Sequence, residues 1–326
     1  MTLSFSELRS SGDERVRATP AARTRPGKRR VKRRRPAAPY LFLAPGLILF
    51  AVTILYPIAR TLQISFYDWK LLPGVPSDFV GLHQYNREIH DPIFWRALVN
   101  ALFYMAFTVP LQIVLGLFVA VLLDAKIPGR GLFRALFYLP VVTSWVVVTL
   151  LFKFLFSTDS GFVNWVLHDA THLTDHNIGW LDGRWPALVT VGLLGVWKGV
   201  GWSMLIFLAA LQGVPAELKE AAAVDGAGAW RSFLSVTVPA IRLTLAFVSV
   251  MLVIGGLNVF ASVYVMTNGG PQDQTEVLLS YMYHQAFQFI DFGYGAAIAF
   301  TLSVIVFVMS FAQMRLFRGG AARVTR

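Results

Sequence analysis

Lys198 is the most prominent of the few residues that could do chemistry within the apolar stretches of this chain. It lies near the middle of the apolar stretch 187–211, whereas Lys153 lies near one end of the stretch 132–156. An ionisable side chain inside a membrane-spanning segment usually faces a water-filled cavity or a partner group. Lys198 is therefore a candidate contact for a polar solute that crosses a membrane, or for a group on a neighbouring protein.

The residue types needed for catalysis are missing from the same stretches. They contain no Asp, Glu or His, and the whole chain contains no cysteine. An intramembrane enzyme, which needs acid–base groups or metal ligands, is an alternative that this composition disfavours. An ion channel or a proton-coupled carrier would require more ionisable groups along the path than Lys198 alone.

Three histidines outside these stretches have the spacing of metal ligands. His168, His172 and His176 follow one another at four-residue intervals, beside Asp169 and Asp175. On a continuous helix they could bind a divalent metal such as zinc. Because no further ligands of known spacing accompany them, we predict a solvated loop and no metal site.

The composition indicates what kind of element must position these residues. Of the 326 residues, 56% are hydrophobic and only 14% are charged, with a mean hydropathy of +0.57, which does not describe a water-soluble surface. About 20 apolar residues cross the hydrocarbon core of a bilayer as a helix. We therefore predict an all-α polytopic membrane protein with six transmembrane helices, at about 41–66, 98–123, 132–156, 187–211, 243–266 and 294–314.

Basic residues are distributed unevenly between the two sides of these spans. With residues 1–39 placed in the cytoplasm, the cytoplasmic segments hold 22 Lys and Arg residues and the opposite loops hold four. Since Lys and Arg collect on the cytoplasmic side, both termini are predicted to be cytoplasmic. Residues 1–39 carry 12 of the basic residues and are predicted to be a disordered tail that is attracted to anionic lipid rather than to nucleic acid.

Two of the predicted helices carry polar or small residues on one face. Gly192, Gly195 and Gly199 share a face of the fourth helix, and glycines at this spacing more often admit a neighbouring helix than line a pore. Trp202 extends the stripe with a flat aromatic face on which a sugar ring can stack. On the fifth helix the residues that share a polar face are Gly255, Asn258 and Ser262.

The segment 213–228 between the fourth and fifth helices predicts a short helix with clear ends. Pro215 and Glu217 suit its first turn, and Gly226 with Gly228 ends it. By spacing alone, this helix could lie on the membrane surface or contact another protein. A second amphipathic stretch, from Trp230 to Val238, follows it.

The residues of this segment resemble the EAA loop of binding-protein-dependent ABC importer permeases. The matching residues are Glu220-Ala221-Ala222, then Gly226 after three residues, and further on Val236 and Val238-Pro239. Two other stretches are similar to the maltose and glycerol-3-phosphate permeases, and the second of them resembles the end of the first of the two membrane subunits. They contain Phe79-Val80-Gly81-Leu82, Tyr85, Asp91, Phe94 and Asn100, and Thr267-Asn268-Gly269-Gly270-Pro271, Thr275, Tyr283, Phe287, Gly293-Tyr294 and Ala296-Ala297.

The resemblance implies a MetI-like permease domain over 40–317, followed by a short cytoplasmic C-terminus at 318–326. It implies partners: a second permease subunit, an ATPase dimer and an extracytoplasmic solute-binding protein. The chain has no G-x-x-x-x-G-K-[ST] loop, so we expect ATP and Mg²⁺ to be bound by the separate ATPase and no cofactor to be bound here. The residues implied in coupling to the ATPase are Glu220, Ala221, Ala222, Asp225, Gly226 and Pro239.

The resemblance also implies a solute path between the fourth and fifth helices. The positions that correspond to sugar contacts in the family are Lys198, Gly199, Trp202, Gly255, Gly256 and Val259, to which the polar face adds Asn258. Several of them lack the hydrogen-bonding side chains of the maltose-type subunit, so maltose itself is not expected. A carbohydrate is the expected solute, and glycerol-3-phosphate or a glycerophosphodiester is the alternative.

Overall fold

The computed structural model describes residues 38–72, 74–125 and 128–321, and it divides into two units, residues 1–50 and 51–326. In the first unit, α1 (Ala38–Phe50) is an apolar helix whose large side chains, Phe42 and Leu47 among them, are exposed. The tail predicted at 1–39 lies outside the described residues, except that Ala38 and Pro39 already belong to α1.

The described part of the second unit is mostly helical, with one two-stranded antiparallel ladder in which Tyr67 pairs with Phe79. After a π-helical turn at Ala51–Leu55, its first half contains α2 (Tyr56–Ile64), β1 (Tyr67–Asp68), β2 (Asp78–Phe79), α3 (His83–His90), α4 (Pro92–Asp124), α5 (Arg130–Val142), α6 (Trp145–Leu155), α7 (Phe162–Asn164) and a π-helix at Trp165–Ala170. Its second half contains α8 (Arg184–Gln212), α9 (Ala216–Val224), α10 (Ala229–Ser232), a π-helix at Phe233–Thr237, α11 (Val238–Ala240), α12 (Arg242–Leu257), α13 (Ala261–Met266), α14 (Leu278–Tyr283), a π-helix at His284–Gln288 and α15 (Phe292–Ala321).

Five of the six predicted spans are confirmed as helical segments long and apolar enough to cross a membrane. Within the described residues these segments are Phe42–Ile64, Pro92–Asp124, Arg184–Gln212, Arg242–Met266 and Phe292–Phe317. The count reaches six if the bent pair of α5 and α6 is one further span. The last helix continues to Ala321 and so includes the beginning of the predicted C-terminal segment 318–326.

The prediction of one continuous third helix at 132–156 is wrong. Helices α5 and α6 meet at an angle of 95°, because the backbone is extended at Thr143 and Ser144. Pro140 lies within α5 and has no N–H to donate to the helix, and the Thr143 hydroxyl donates to the Pro140 carbonyl at 2.6 Å. Apolar composition is the same on both sides of the break, which is why hydropathy alone did not reveal it.

The fifth span is also interrupted. Helix α12 ends at Leu257 and α13 begins at Ala261, so the predicted continuous face of Gly255, Asn258 and Ser262 is wrong. The Asn258 side chain donates to the Ile254 carbonyl at 2.8 Å, and such a local bond offers the backbone an alternative to continued helix.

Helix α4 packs along α8 at the centre of this unit, and small residues permit the close approach. A Cβ atom on Gly192 would collide with the Phe107 ring, and one on Gly195 with the Tyr104 hydroxyl. In a lipid environment helices associate through such close packing, since lipid tails are as apolar as the side chains. The glycine stripe of the fourth helix therefore admits a neighbouring helix, as its spacing favoured.

Candidate functional site

A cavity of about 230 Å³ lies between α4, α8 and α12, next to the break between α5 and α6. Five of the residues predicted for the solute path line it: Lys198, Gly199, Trp202, Gly255 and Gly256. The other residues of its wall are Tyr104, Thr108, Gln112, Val141, Trp145, Gly195, Met251 and Leu252. No acidic side chain is present among these described residues, so the wall is uncharged apart from Lys198.

A second cavity of about 390 Å³ shares Tyr104, Trp145 and Gly255 with the first. It is lined by Asn258 and Val259, the two remaining residues of the predicted path, and by Phe260, Ala261 and Ser262. The interruption between α12 and α13 forms this wall. The structure thus brings all seven predicted residues to two adjoining cavities, although their contact with a solute stays a prediction.

Gln112 of α4 faces the same cavity. Its side-chain amide lies against the Cα atom of Gly199, where a Cβ atom would collide with it. Gly199 therefore serves the packing of α4 on α8 and at the same time brings an amide group to the cavity. Gln112 is buried and supplies both a hydrogen-bond donor and an acceptor.

Lys198 is almost completely buried, with 3% of its surface exposed. Its ammonium group donates to the carbonyl oxygens of Pro140 at 2.7 Å and Thr143 at 2.6 Å, with the Val141 carbonyl and the Thr143 hydroxyl each at 3.4 Å. It also lies 5.0 Å from the centre of the Trp145 ring. Lys198 therefore joins α8 to both halves of the broken third span, which neither of its predicted roles included.

The predicted loop helix is observed as α9, and none of its residues is buried. Glu217 lies in its first turn, whereas Pro215 is the residue before the helix. Large apolar side chains on and after it are exposed, including Val224 (88%) and Trp230 (72%). An ion pair at 3.7 Å between Lys219 and Asp124 joins α9 to the end of α4, and a partly exposed pair of this kind contributes little stability.

The end of α9 explains the need for a glycine at position 226. The N–H groups of Gly226 and Ala227 donate to the carbonyls of Ala223 and Ala222, at 3.0 and 2.9 Å, which is the pattern of a Schellman motif. Gly226 has φ +77°, a conformation in which a Cβ atom is strained. The chain then continues through α10 and the π-helix to α11, which contains Pro239.

A buried polar network at the other end of the bundle was not identified as such in the sequence. Asp91 caps α4 by accepting from the Ile93 N–H at 2.8 Å, and it also accepts hydrogen bonds from the hydroxyls of Tyr281 and Tyr294. Burial alone raises the pKa of Asp91, but the hydrogen bonds from the two tyrosines bring it below its ordinary value. Asp91 thereby ties α4 to α14 and α15.

Two further clusters extend this network. Glu276 is fully buried and contacts His284 Nδ1 at 2.6 Å and the Ser280 hydroxyl, and burial raises its pKa. Asn100 donates to the Gln274 and Glu276 carbonyls and accepts from Arg184 Nε at 2.8 Å. The one signal in the sequence was that Asp91, Asn100, Thr275 and Tyr294 belong to the stretches that resemble known permeases.

The three histidines do not form the helical face that a metal site would need. His168 lies in the π-helix Trp165–Ala170, whereas His172 follows it with φ +51°. The ring nitrogens Nδ1 of His168 and His172 contact the carbonyls of Thr174 and His168, respectively. Within the described part of the chain, no cluster of three His, Cys, Asp or Glu residues could hold a metal ion.

Comparisons of the sequence and of the fold with known proteins both identify subunits of transport systems. Residues 92–319 match the family described as binding-protein-dependent transport system inner membrane component. The arabinooligosaccharides transport system permease protein AraP of Bacillus subtilis is 34% identical, with 92% of this chain and 95% of that protein covered. The lactose transport system permease protein LacF of Rhizobium radiobacter is 35% identical, with 84% and 92% covered. The fold is similar to a chain of a bacterial alginate ABC transporter crystallised with an alginate pentasaccharide-bound periplasmic protein, with a TM-score of 0.73, 22% identity, and 90% and 96% of the two chains covered.

Proposed function

The chain belongs to the family of binding-protein-dependent transport system inner membrane components, and from this we propose that it imports a sugar or sugar-like solute as a permease subunit of an ATP-driven transporter. As an ABC transporter permease it is a multi-pass membrane protein and a transport component, not an enzyme. The observation that carries the proposal is the combination of a cavity within the bundle and an exposed helix, α9, between two spans.

A carbohydrate is the solute that the wall of the cavity and the relatives support together. The relatives transport lactose and arabinooligosaccharides, according to their names. Trp202 supplies an aromatic ring and Gln112 an amide, which suit a ligand with apolar ring faces and hydroxyl groups. Glycerol-3-phosphate or a glycerophosphodiester is the second candidate, since Lys198 is a cation beside the cavity.

Helix α9 is proposed to transmit ATP-driven movement from a separate ATPase. None of its residues is buried, and Ala221, Ala222 and Ala223 allow a partner's backbone to approach closely. Glu220 supplies a charged contact, and the Schellman motif at Gly226 fixes the direction in which the chain leaves the helix. Asp225 and Pro239 complete the segment through which α9 would move α12.

The assembly proposed for this chain contains a second permease subunit, an ATPase dimer that binds ATP and Mg²⁺, and an extracytoplasmic solute-binding protein. The distribution of Lys and Arg supports an orientation with both termini and α9 in the cytoplasm of a bacterium. In that orientation, Asp91, Glu276 and their network lie on the extracytoplasmic side.

Crosslinking from α9 tests the coupling proposal. Because the chain has no cysteine, Ala222→Cys introduces the only thiol in this subunit, and a photoactivatable reagent on it should capture the ATPase in membranes. Leu173→Cys, an exposed position on the loop after the π-helix at Trp165–Ala170, is the matched control and should not capture it. Capture from Leu173 and none from Ala222 would contradict the proposal.

Uptake by proteoliposomes that contain the whole transporter and its binding protein tests the solute. The probes are radiolabelled lactose, an arabinooligosaccharide and glycerol-3-phosphate, each with ATP and with a non-hydrolysable analogue. ATP-dependent uptake of a neutral sugar supports the proposal, and uptake of glycerol-3-phosphate alone supports the second candidate. ATP-independent accumulation would contradict an ATP-driven importer.

A further inference from the structure

The break in the third span leaves carbonyl groups that need a donor inside the bundle. Helix α5 ends at Val142, and the last carbonyls of any helix have no partner within the helix itself. An unsatisfied carbonyl in a membrane-spanning segment is costly because no water replaces the missing donor. Lys198 reaches these groups from α8 and donates to the carbonyls of Pro140 and Thr143.

The positive charge of Lys198 also suits its position at the C-terminal end of α5. The C-terminal end of a helix carries a partial negative charge that favours a cation, and the ring of Trp145, the first residue of α6, faces the ammonium at 5.0 Å. Gly201, one turn along α8, lets the backbone of α5 approach, because a Cβ atom there would collide with the Phe137 carbonyl. One lysine thus contacts the end of α5 and the start of α6.

We propose that Lys198 is a positioning residue that holds the third span bent, and that the cavity beside it accepts an uncharged polar solute. The bend places Val141 and Trp145 in the cavity wall. By holding the bend between α5 and α6, Lys198 therefore determines the positions of these two wall residues. The statement on the solute rests on the proposed transport function, whereas the statement on the bend does not.

The hydrogen bonds of Lys198 are the reason for excluding an anionic solute. An ammonium group has three donors, and four oxygen acceptors of Pro140, Val141 and Thr143 already lie within 3.4 Å of it. An anion that drew the ammonium into the cavity would remove a donor from the Thr143 carbonyl and leave the Pro140 carbonyl with the Thr143 hydroxyl. A neutral solute can use Trp202, Gln112 and the glycine backbone and leave Lys198 in place.

The angle between α5 and α6 can be measured with two spin labels in the assembled transporter. Leu132 and Leu151 are exposed positions on the two helices, and Leu132→Cys with Leu151→Cys places both labels in a chain without other cysteines. At 1.5 Å per residue, the bend of 95° puts the two Cα atoms about 20 Å apart, whereas a straight helix would separate them by about 28 Å. Pulsed electron paramagnetic resonance distinguishes these distances.

When Lys198→Met is added to the labelled chain, the distribution of label distances should broaden and shift towards the distance of a straight helix. When Lys198→Arg is added instead, the distribution should remain that of the labelled chain with Lys198. Lys153→Met, which removes the exposed lysine at the end of α6, is the control and should leave the distribution unchanged. A narrow distribution near 20 Å in Lys198→Met would overturn the positioning role. If Lys198→Met does not assemble, Trp145→Leu decides, since loss of the ring contact should broaden the distribution and an unchanged one would overturn the proposal.

The charge of the solute is tested separately by uptake measurements in the reconstituted transporter. Lactose and glycerol-3-phosphate are compared as uptake substrates in wild type and in Lys198→Arg and Lys198→Met. If Lys198→Met raises the KM for glycerol-3-phosphate tenfold or more and leaves that for lactose unchanged, Lys198 binds the anion and the uncharged site is refuted. A changed label distance without uptake of either solute would instead refute the proposed function and keep the positioning role.

Discussion

The segment 213–240 and the segment 267–294 differ in how their polar groups are satisfied. Helix α9 in the first has no buried residue, and exposed apolar side chains such as Trp230 follow it. The second contains buried Glu276, His284 and Tyr281, which are hydrogen-bonded within this chain. Both segments join two spans and are similar in length.

The difference indicates which segment is complete without a partner. Buried polar groups are tolerated only when they are paired, and the contacts of Glu276 with His284 and of Asp91 with Tyr281 and Tyr294 satisfy this condition. A helix without a fully buried residue gains little stability from packing, so its residues are available for a surface supplied by another protein. Substitutions should therefore affect transport in the first segment and stability in the second.

The largest effect on transport is expected in Glu220→Lys. A reversed charge in a close-fitting interface should lower ATP-dependent uptake about a hundredfold, or about 3 kcal/mol, while the thermal stability of the subunit stays within about 0.5 kcal/mol of wild type. Uptake in proteoliposomes and the unfolding midpoint measure the two quantities. Asp175→Lys, the same reversal in an exposed loop at the other end of the bundle, is the control; wild-type uptake by Glu220→Lys at normal abundance would refute the coupling role.

The largest effect on stability is expected in Asp91→Ala. The substitution removes the cap of α4 and leaves the hydroxyls of Tyr281 and Tyr294 without their acceptor, and we expect a loss of about 4 kcal/mol. Thermal unfolding of the purified transporter measures it. Asp225→Ala, at the exposed end of α9, should change stability by about 0.5 kcal/mol or less, and an equal loss in both variants would remove the distinction between the segments.

Glu88 on α3, which lies near Asp91, adds a pH dependence to the end of the bundle that holds the buried polar network. Its side chain is buried, one oxygen accepts from Thr301 at 3.1 Å and the other has no partner among the described residues. Burial, together with the charge of Asp91, raises the pKa of Glu88 from 4.5 to about 7. The protonated form is favoured in the folded state, so the stability that it contributes is fully present below about pH 4.5 and is lost as pH rises to about 7.

The variant Glu88→Gln, which mimics the protonated acid, should remove this dependence. We expect it to be more stable than wild type at pH 8, by up to about 3 kcal/mol, and close to wild type at pH 4.5. Thermal unfolding at the two pH values measures the difference. Glu217→Gln, on exposed α9, is the control and should leave the stability close to that of wild type; equal stabilisation of Glu88→Gln at both pH values would contradict the raised pKa.

The smallest effect concerns the end of α9. Gly226→Val introduces a β-branched residue at φ +77° and should destabilise the Schellman turn by about 1–2 kcal/mol, without unfolding the spans. Hydrogen exchange of the backbone amides at positions 226 and 227 should accelerate accordingly, and uptake should fall. Gly228→Val, at φ −65° with open space around it, should leave exchange unchanged, and similar acceleration in both variants would show that the glycine conformation is not the cause.

The sequence by itself determined the elements whose cause is local. Five spans follow from continuous hydropathy, and the ends of α9 follow from Glu217 in the first turn and Gly226 after the last. The convergence of six path residues on one region followed from the family resemblance, and Asn258 was added from its helical position; the structure brings all seven to adjoining cavities. Each of these features depends on residues that are near one another in the chain or on a known pattern.

Only the tertiary structure decided the features that depend on residues far apart in the chain. The bend at Thr143 is stabilised by Lys198, 55 residues later, and Asp91 is bonded to Tyr281, 190 residues away. Hydropathy and spacing do not report such pairs, because the free energy of a buried lysine or carboxylate is set by the donors and acceptors that packing brings to it. For this reason the sequence could identify Lys198 as an unusual residue, but the carbonyls to which it donates hydrogen bonds became evident only from the packing of α5 against α8.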